Sequence, residues 1–179
     1  MNKLYAVDVE TTGLDPATTS IVSIGAVDIE TPERTFYMEC LPWVGALIHE
    51  GALKVNGFTI DQIMAFEKSE AEAIQAFFDW ATEGGASPIM VAHNASFDKL
   101  FVGHAAVRAN IKNPFSFRSV DIHSIVYMHL LRTGKEIPQK LSLNACLELL
   151  GFDREPDPHN ALTGAKCNTD IFKKVRYAE

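Results

Sequence analysis

Two runs of strand-forming residues, SIVSIGAVDIE (Ser20–Glu30) and RTFYMECL (Arg34–Leu41), are joined by only three residues, TPE. A parallel return within one sheet needs about a dozen residues or more, so this link permits only an antiparallel pair. After the pair the chain changes character. SEAEAIQAFFDWATEG (Ser69–Gly84) opens on a capping box, Ser69 with Glu72 three residues on, and carries Ile74, Phe77, Phe78 and Ala81 at helical spacing. SPIMVAH (Ser87–His93) is an apolar run of strand length, followed by a helix expected over Ala95–Ala109. FRSVDI (Phe117–Ile122) reads as another strand and leads into the helical HSIVYMHLLRTG. LSLNACLELLG (Leu141–Gly151) predicts a helix with Gly151 as its cap. A last helix is expected from about His159 to Val175, with Lys173, Lys174 and Arg176 where the helix dipole favours cations.

With KLYAVDVE (Lys3–Glu10) as the first strand, the order is three strands, then two more strands each followed by helix. That order predicts an α/β protein whose mixed sheet has one antiparallel strand and helices on both faces. The 179 residues fit a single domain, 1–179, with no repeat or linker, and 47% hydrophobic residues supply a sizeable core. No apolar run approaches the roughly 18 residues that span a bilayer, and MNKLYAVDVE lacks the plan of a signal peptide. Cys40, Cys146 and Cys167 lie far apart without CxxC spacing, which predicts free thiols, a cytoplasmic location and no structural zinc. A net charge of -7 argues against a generic nucleic-acid binder with a basic face. It leaves room for an enzyme that meets phosphates through bound cations, because such a site is built from carboxylates.

The carboxylates fall at strand ends. Asp8 and Glu10, two apart in DVETTG, share one face of the first strand, with carboxylates about 6–7 Å apart by strand rise. On a buried face they repel unless a cation lies between them, whereas at a solvated strand end they need no explanation. In VAHNASFD, Asn94 is suited to cap a helix and Asp98 to occupy its first turn, so local structure alone accounts for both. Topology adds more, because parallel neighbouring strands would bring Asp8 and Asp98 to one edge of the sheet, where such folds place their chemistry. In PHNALTG, His159 opens the last helix, either as a surface polar residue or as a general base near the acids. The other histidines (His49, His93, His104, His123 and His129) show no ligand-like arrangement.

Taken together, DVETTGL, VAHNASFD and PHNALTGA resemble the three motifs of the DEDDh family of 3′→5′ exonucleases. The resemblance covers most of the chain and implies an RNase H-like, five-stranded mixed sheet with the second strand antiparallel. It also implies hydrolysis of the terminal phosphodiester of single-stranded DNA or short RNA with two divalent ions, Mg2+ or Mn2+. By matching positions, Asp8, Glu10 and Asp98 would be metal ligands and His159 the catalytic base. Thr11, Gly13 and Leu14 would grip the terminal nucleotide, with Leu14 a wedge against its base. Asn94 and Phe97 would border the substrate, although a core role suits Phe97 better, and Asn56 is a weaker candidate. The implied partners are single-stranded 3′ ends, no membrane, and a polymerase as in the family's proofreading members. A non-catalytic nucleic-acid-end binder on the same fold is the rival reading.

One position departs from the pattern. The family's fourth carboxylate lies five residues after the histidine, and here that residue is Gly164. Glycine inside a helix costs about 1 kcal/mol relative to alanine, so helix stability does not explain it. Asp170 lies about 16 Å beyond His159 at helical rise and is no obvious replacement. Three explanations stand side by side: a natural member with a weakened first metal site, an introduced or accidental substitution, or another carboxylate, Asp157 or Glu155, taking over.

Overall fold

The short link does make an antiparallel pair. The computed structural model describes residues 2–177, beginning with β1 (Asn2–Thr11), β2 (Ile21–Asp28) and β3 (Thr35–Glu39). After these come α1 (Glu50–Asn56), α2 (Ile60–Met64), α3 (Glu70–Thr82), β4 (Ser87–Ala92) and α4 (Ala95–Arg108). The chain continues with β5 (Ser119–Asp121), α5 (Ile122–Arg132), α6 (Leu143–Leu150) and α7 (Ala161–Arg176). The sheet order is β3-β2-β1-β4-β5. β2 runs antiparallel to both neighbours, while β1, β4 and β5 are parallel. This is the RNase H-like open sheet with helices on both faces.

Alternation along β1 divides the core. Tyr5, Val7 and Val9 point to the face covered by α3 and α4, where Phe77, Phe78 and Phe101 fill the layer. Ala6 points to the opposite face, packed with Val126 and Leu130 of α5, Leu147 of α6, and Ala165 and Ile171 of α7. Asp8 and Glu10 follow Ala6 in phase, so the two acids emerge where the α7 face runs out of apolar cover. Both halves of the predicted capping box form: the Ser69 amide donates to Glu72 at 2.9 Å, and the Glu72 amide donates to the Ser69 hydroxyl at 3.2 Å.

Glycine at position 25 sets the distance between sheet and helix. A Cβ there would collide with the backbone of Ala161 and Leu162, so only glycine lets the start of α7 rest directly on β2. Among the described residues no helix is long and apolar enough to cross a membrane, and the three cysteines are free thiols.

Candidate active site

β1 and β4 run parallel in register from Asn2 with Ser87 to Ala6 with Val91, so their C-terminal ends lie side by side. Asp98, in the first turn of α4, turns back towards β1 and accepts a hydrogen bond from the Val9 amide at 3.1 Å. The expected meeting of Asp8, Glu10 and Asp98 at one sheet edge therefore takes place. Just beyond Glu10 the β1–β2 register slips at Thr11, and the chain turns away from the sheet.

Two local expectations need correction. Asn94 does not cap α4 with its side chain; its backbone is left-handed (φ 58°, ψ 53°) and the residue is exposed. Asparagine is among the few residues that tolerate this conformation, which here turns the chain sharply from strand into helix. The capping is done from the next strand, where Asp121 Oδ2 accepts from the Ala95 amide at 2.7 Å. His159 likewise precedes α7 rather than opening it. Asn160 is the N-cap, its Oδ1 accepting from the Leu162 and Thr163 amides at 3.0 and 3.3 Å. His159 is fixed by its own amide, which donates to the Val55 carbonyl at 3.2 Å, and its imidazole stays about one-third exposed.

A cavity of about 200 Å3 collects Asp8, Glu10, His93, Glu155 and His159. Glu155 enters it from the loop before α7, with its amide donating to Asn144 Oδ1 at 2.8 Å. Its side chain is 3% exposed, Oε2 lies 3.8 Å from His159 Nδ1, and Oε1 is buried without a hydrogen-bond partner. Asp157, the other candidate substitute, lies 3.6 Å from His159 Nε2 with a 91% exposed side chain. Gly164 faces Asp8 so closely that a Cβ would stand 2.5 Å from Asp8 Oδ2.

This crowding of acids shows in their protonation. Asp8 keeps some open surface, yet close packing strips water from its carboxylate. That desolvation, reinforced by Asp98, Glu10 and Glu155, pushes its pKa well up. Glu10 is raised to about 7 by desolvation and then by Glu155. Asp98 is raised to about 8, chiefly by desolvation, against hydrogen bonds from its own and the Val9 amide that favour the charged form. Burial also raises Glu155, opposed by His159. No lysine or arginine figures among the causes for any of the four.

Hard oxygen donors, an unpartnered buried carboxylate oxygen and uncompensated negative charge suit divalent cations such as magnesium or manganese. Among the described residues no three ligating side chains already close around a single point. Asp8, Glu10, Asp98 and Glu155 are the groups that could hold such ions.

Beside the acids runs an apolar cleft of about 550 Å3 lined by Gly13, Leu14, His49 and Val55. The turn at its rim is braced: Thr11 Oγ1 donates to the Gly13 carbonyl at 2.7 Å, and Asn56 Nδ2 to the Thr11 carbonyl at 3.2 Å. Leu14 stands 83% exposed. Phe97 is half-buried, its ring centroid 4.8 Å from that of Phe101 and packed on the core. Sequence reasoning left α1 and α2 unassigned, because helices of seven and five residues are too short to display a clear period. It set Glu155 beside Asp157 as an open alternative, and only the fold separates them.

Comparison with known proteins agrees with this fold. The family model RNase_T, described as Exonuclease, matches residues 5–172. Ribonuclease T of Salmonella typhimurium is 32% identical over 183 residues, covering 94% of this chain and 82% of the relative. Among solved structures, the nuclease domain of 3'hExo, a DEDDh family member bound to rAMP, superposes with a TM-score of 0.74 at 20% identity. That match covers 98% of this chain and 90% of the domain. Zinc-bound E. coli exonuclease I in complex with single-stranded DNA superposes with a TM-score of 0.79 at 19% identity. That match covers 98% of this chain, which spans only 40% of exonuclease I.

Proposed function

The chain belongs to the DEDDh family of 3′→5′ exonucleases, and from that membership we propose that it removes nucleotides from single-stranded 3′ ends of DNA or short RNA. Enzymes of this kind depend on divalent metal. The observation that carries the proposal is the convergence of Asp8, Glu10 and His159 on one cavity, with Asp98 beside it at the same sheet edge.

In this reading Asp8, Glu10 and Asp98 bind two magnesium or manganese ions through carboxylate oxygens. The ions, when bound, lower the pKa of the attacking water and stabilise charge on the leaving 3′-oxygen. His159 accepts the proton of that water at an imidazole nitrogen, and its one-third exposure leaves the ring open to solvent for passing the proton on. The Thr11–Leu14 turn and the apolar cleft receive the terminal nucleotide, with Leu14 against the base. Asn94 and Phe97 border the strand from the start of α4. The three free thiols suit the reducing cytoplasm.

The test uses single-stranded DNA and RNA oligonucleotides labelled at the 3′ nucleotide, with manganese present. Release of the labelled mononucleotide by the parent protein, and far slower release by His159→Ala, is the expected result. A second reading, a non-catalytic binder of nucleic-acid ends, is favoured by Gly164 alone. It predicts retention of the labelled oligonucleotide with no release at any manganese concentration.

A further inference from the structure

In a family with a carboxylate at position 164, that group would reach the site from within α7. Here position 164 carries no carboxylate, and a Cβ there would stand 2.5 Å from Asp8 Oδ2 and 2.7 Å from its Cγ. The space is filled by Asp8 itself. We propose that Glu155, from the loop before α7, supplies the fourth carboxylate of the site and completes the cation ligands alongside Asp8 and Glu10. The inference rests on the nuclease reading above and names the residue that makes it workable without Asp at 164.

Three observations carry it. Glu155 lines the same cavity as Asp8, Glu10 and His159. The residue is 5% exposed, and its Oε1 is buried with no donor in reach, an arrangement that costs free energy unless a cation or donor satisfies it. His159 does not satisfy it: Nδ1 stands 3.8 Å from the other oxygen, beyond hydrogen-bond distance. The alternatives fall away on exposure. Asp157 directs a 91% exposed side chain at the outer edge of the imidazole, and Asp170 lies exposed further along α7. The Glu155 backbone is anchored, its amide held by Asn144 Oδ1 on α6, so the carboxylate is presented from a fixed point.

Manganese titration by calorimetry, alongside thermal melts in EDTA, tests the assignment. The parent takes up manganese, Glu155→Gln and Glu155→Ala bind at least about tenfold more weakly, and Asp157→Asn binds as the parent does. In EDTA, Glu155→Gln melts at or above the parent, because a buried charge without a partner has been removed. Parental manganese affinity in Glu155→Gln would overturn the assignment. So would weakened binding accompanied by a lower melting temperature in EDTA, which would mean that the glutamate only supports the fold. If the parent binds and cleaves normally while Glu155→Gln is unchanged, this inference alone fails. If the parent takes up no manganese and releases no nucleotide, the nuclease reading fails with it.

Discussion

Two glutamates of this molecule are buried alike, and they could hardly be treated more differently. Glu70, 3% exposed, accepts from Arg108 Nε at 3.0 Å and Nη2 at 2.8 Å, from the Ser20 hydroxyl at 2.9 Å and from the Ile21 amide at 3.0 Å. Glu155, 5% exposed, has one oxygen with no partner and the other beyond bonding distance of a histidine. Burial is equal; satisfaction is not. A carboxylate with both oxygens hydrogen-bonded ties α3 to β2 and α4. One left unsatisfied beside three other acids is poised for a ligand.

Breaking each side of the comparison should give different failures. The largest effect is expected for His159→Ala, which should lower nucleotide release by roughly 10²–10⁴-fold, the range of a general base. Its melting temperature in EDTA should stay close to the parent's. Arg108→Met leaves Glu70 buried and uncompensated, costing about 3–5 kcal/mol, or a fall of roughly 10 °C in Tm, read by calorimetric melting. Manganese affinity in that variant should match the parent's, since Arg108 lies outside the acid cavity. If Arg108→Met instead weakened manganese binding while melting normally, the division between the two glutamates would collapse.

A smaller effect sharpens the same contrast through pH. Glu10, raised to about 7, and Asp98, raised to about 8, ionise far above their ordinary values of 4.5 and 3.8. Between those limits the folded protein holds more protons than the unfolded chain, so stability in EDTA should fall as pH rises from about 4 to about 8. Asp15, Glu72 and Asp121 are shifted downwards, so the stability they add is lost only below that window. Melts in EDTA across this range should decline by a few degrees, and manganese should raise Tm more at pH 8 than at pH 5. A melting temperature that climbed steadily through the window would contradict the electrostatics described for the site.

Much of this was legible before the fold. A three-residue link dictated the antiparallel hairpin, Ser69 with Glu72 marked the start of α3, and Gly151 ended α6 in the left-handed conformation its position called for. Asp8, Glu10 and Asp98 could be gathered from strand parity and parallel pairing alone. Other features depended on tertiary contacts that no local pattern encodes. Asn94 looked like a helix cap, yet Asp121 from the next strand takes that task and leaves the Asn94 backbone free to turn. Glu155 lies in FDREPDPH, a stretch whose charges and prolines read as a solvated loop. In the fold its amide is held by Asn144, and nearby Pro158 packs against Gly57 at the end of α1. Gly164 read as a missing carboxylate; in the fold it is also the point where α7 comes closest to the Asp8 side chain.

That last point gives the most direct test of the account, whose claim is that the site works with glycine at 164. A single-stranded oligonucleotide labelled at its 5′ end should be shortened stepwise by the parent protein in manganese and left intact in EDTA. Gly164→Asp, which crowds the Asp8 carboxylate, should shorten it about tenfold more slowly, in line with a disturbed ligand group. An intact oligonucleotide with the parent, and a ladder only with Gly164→Asp, would contradict the account.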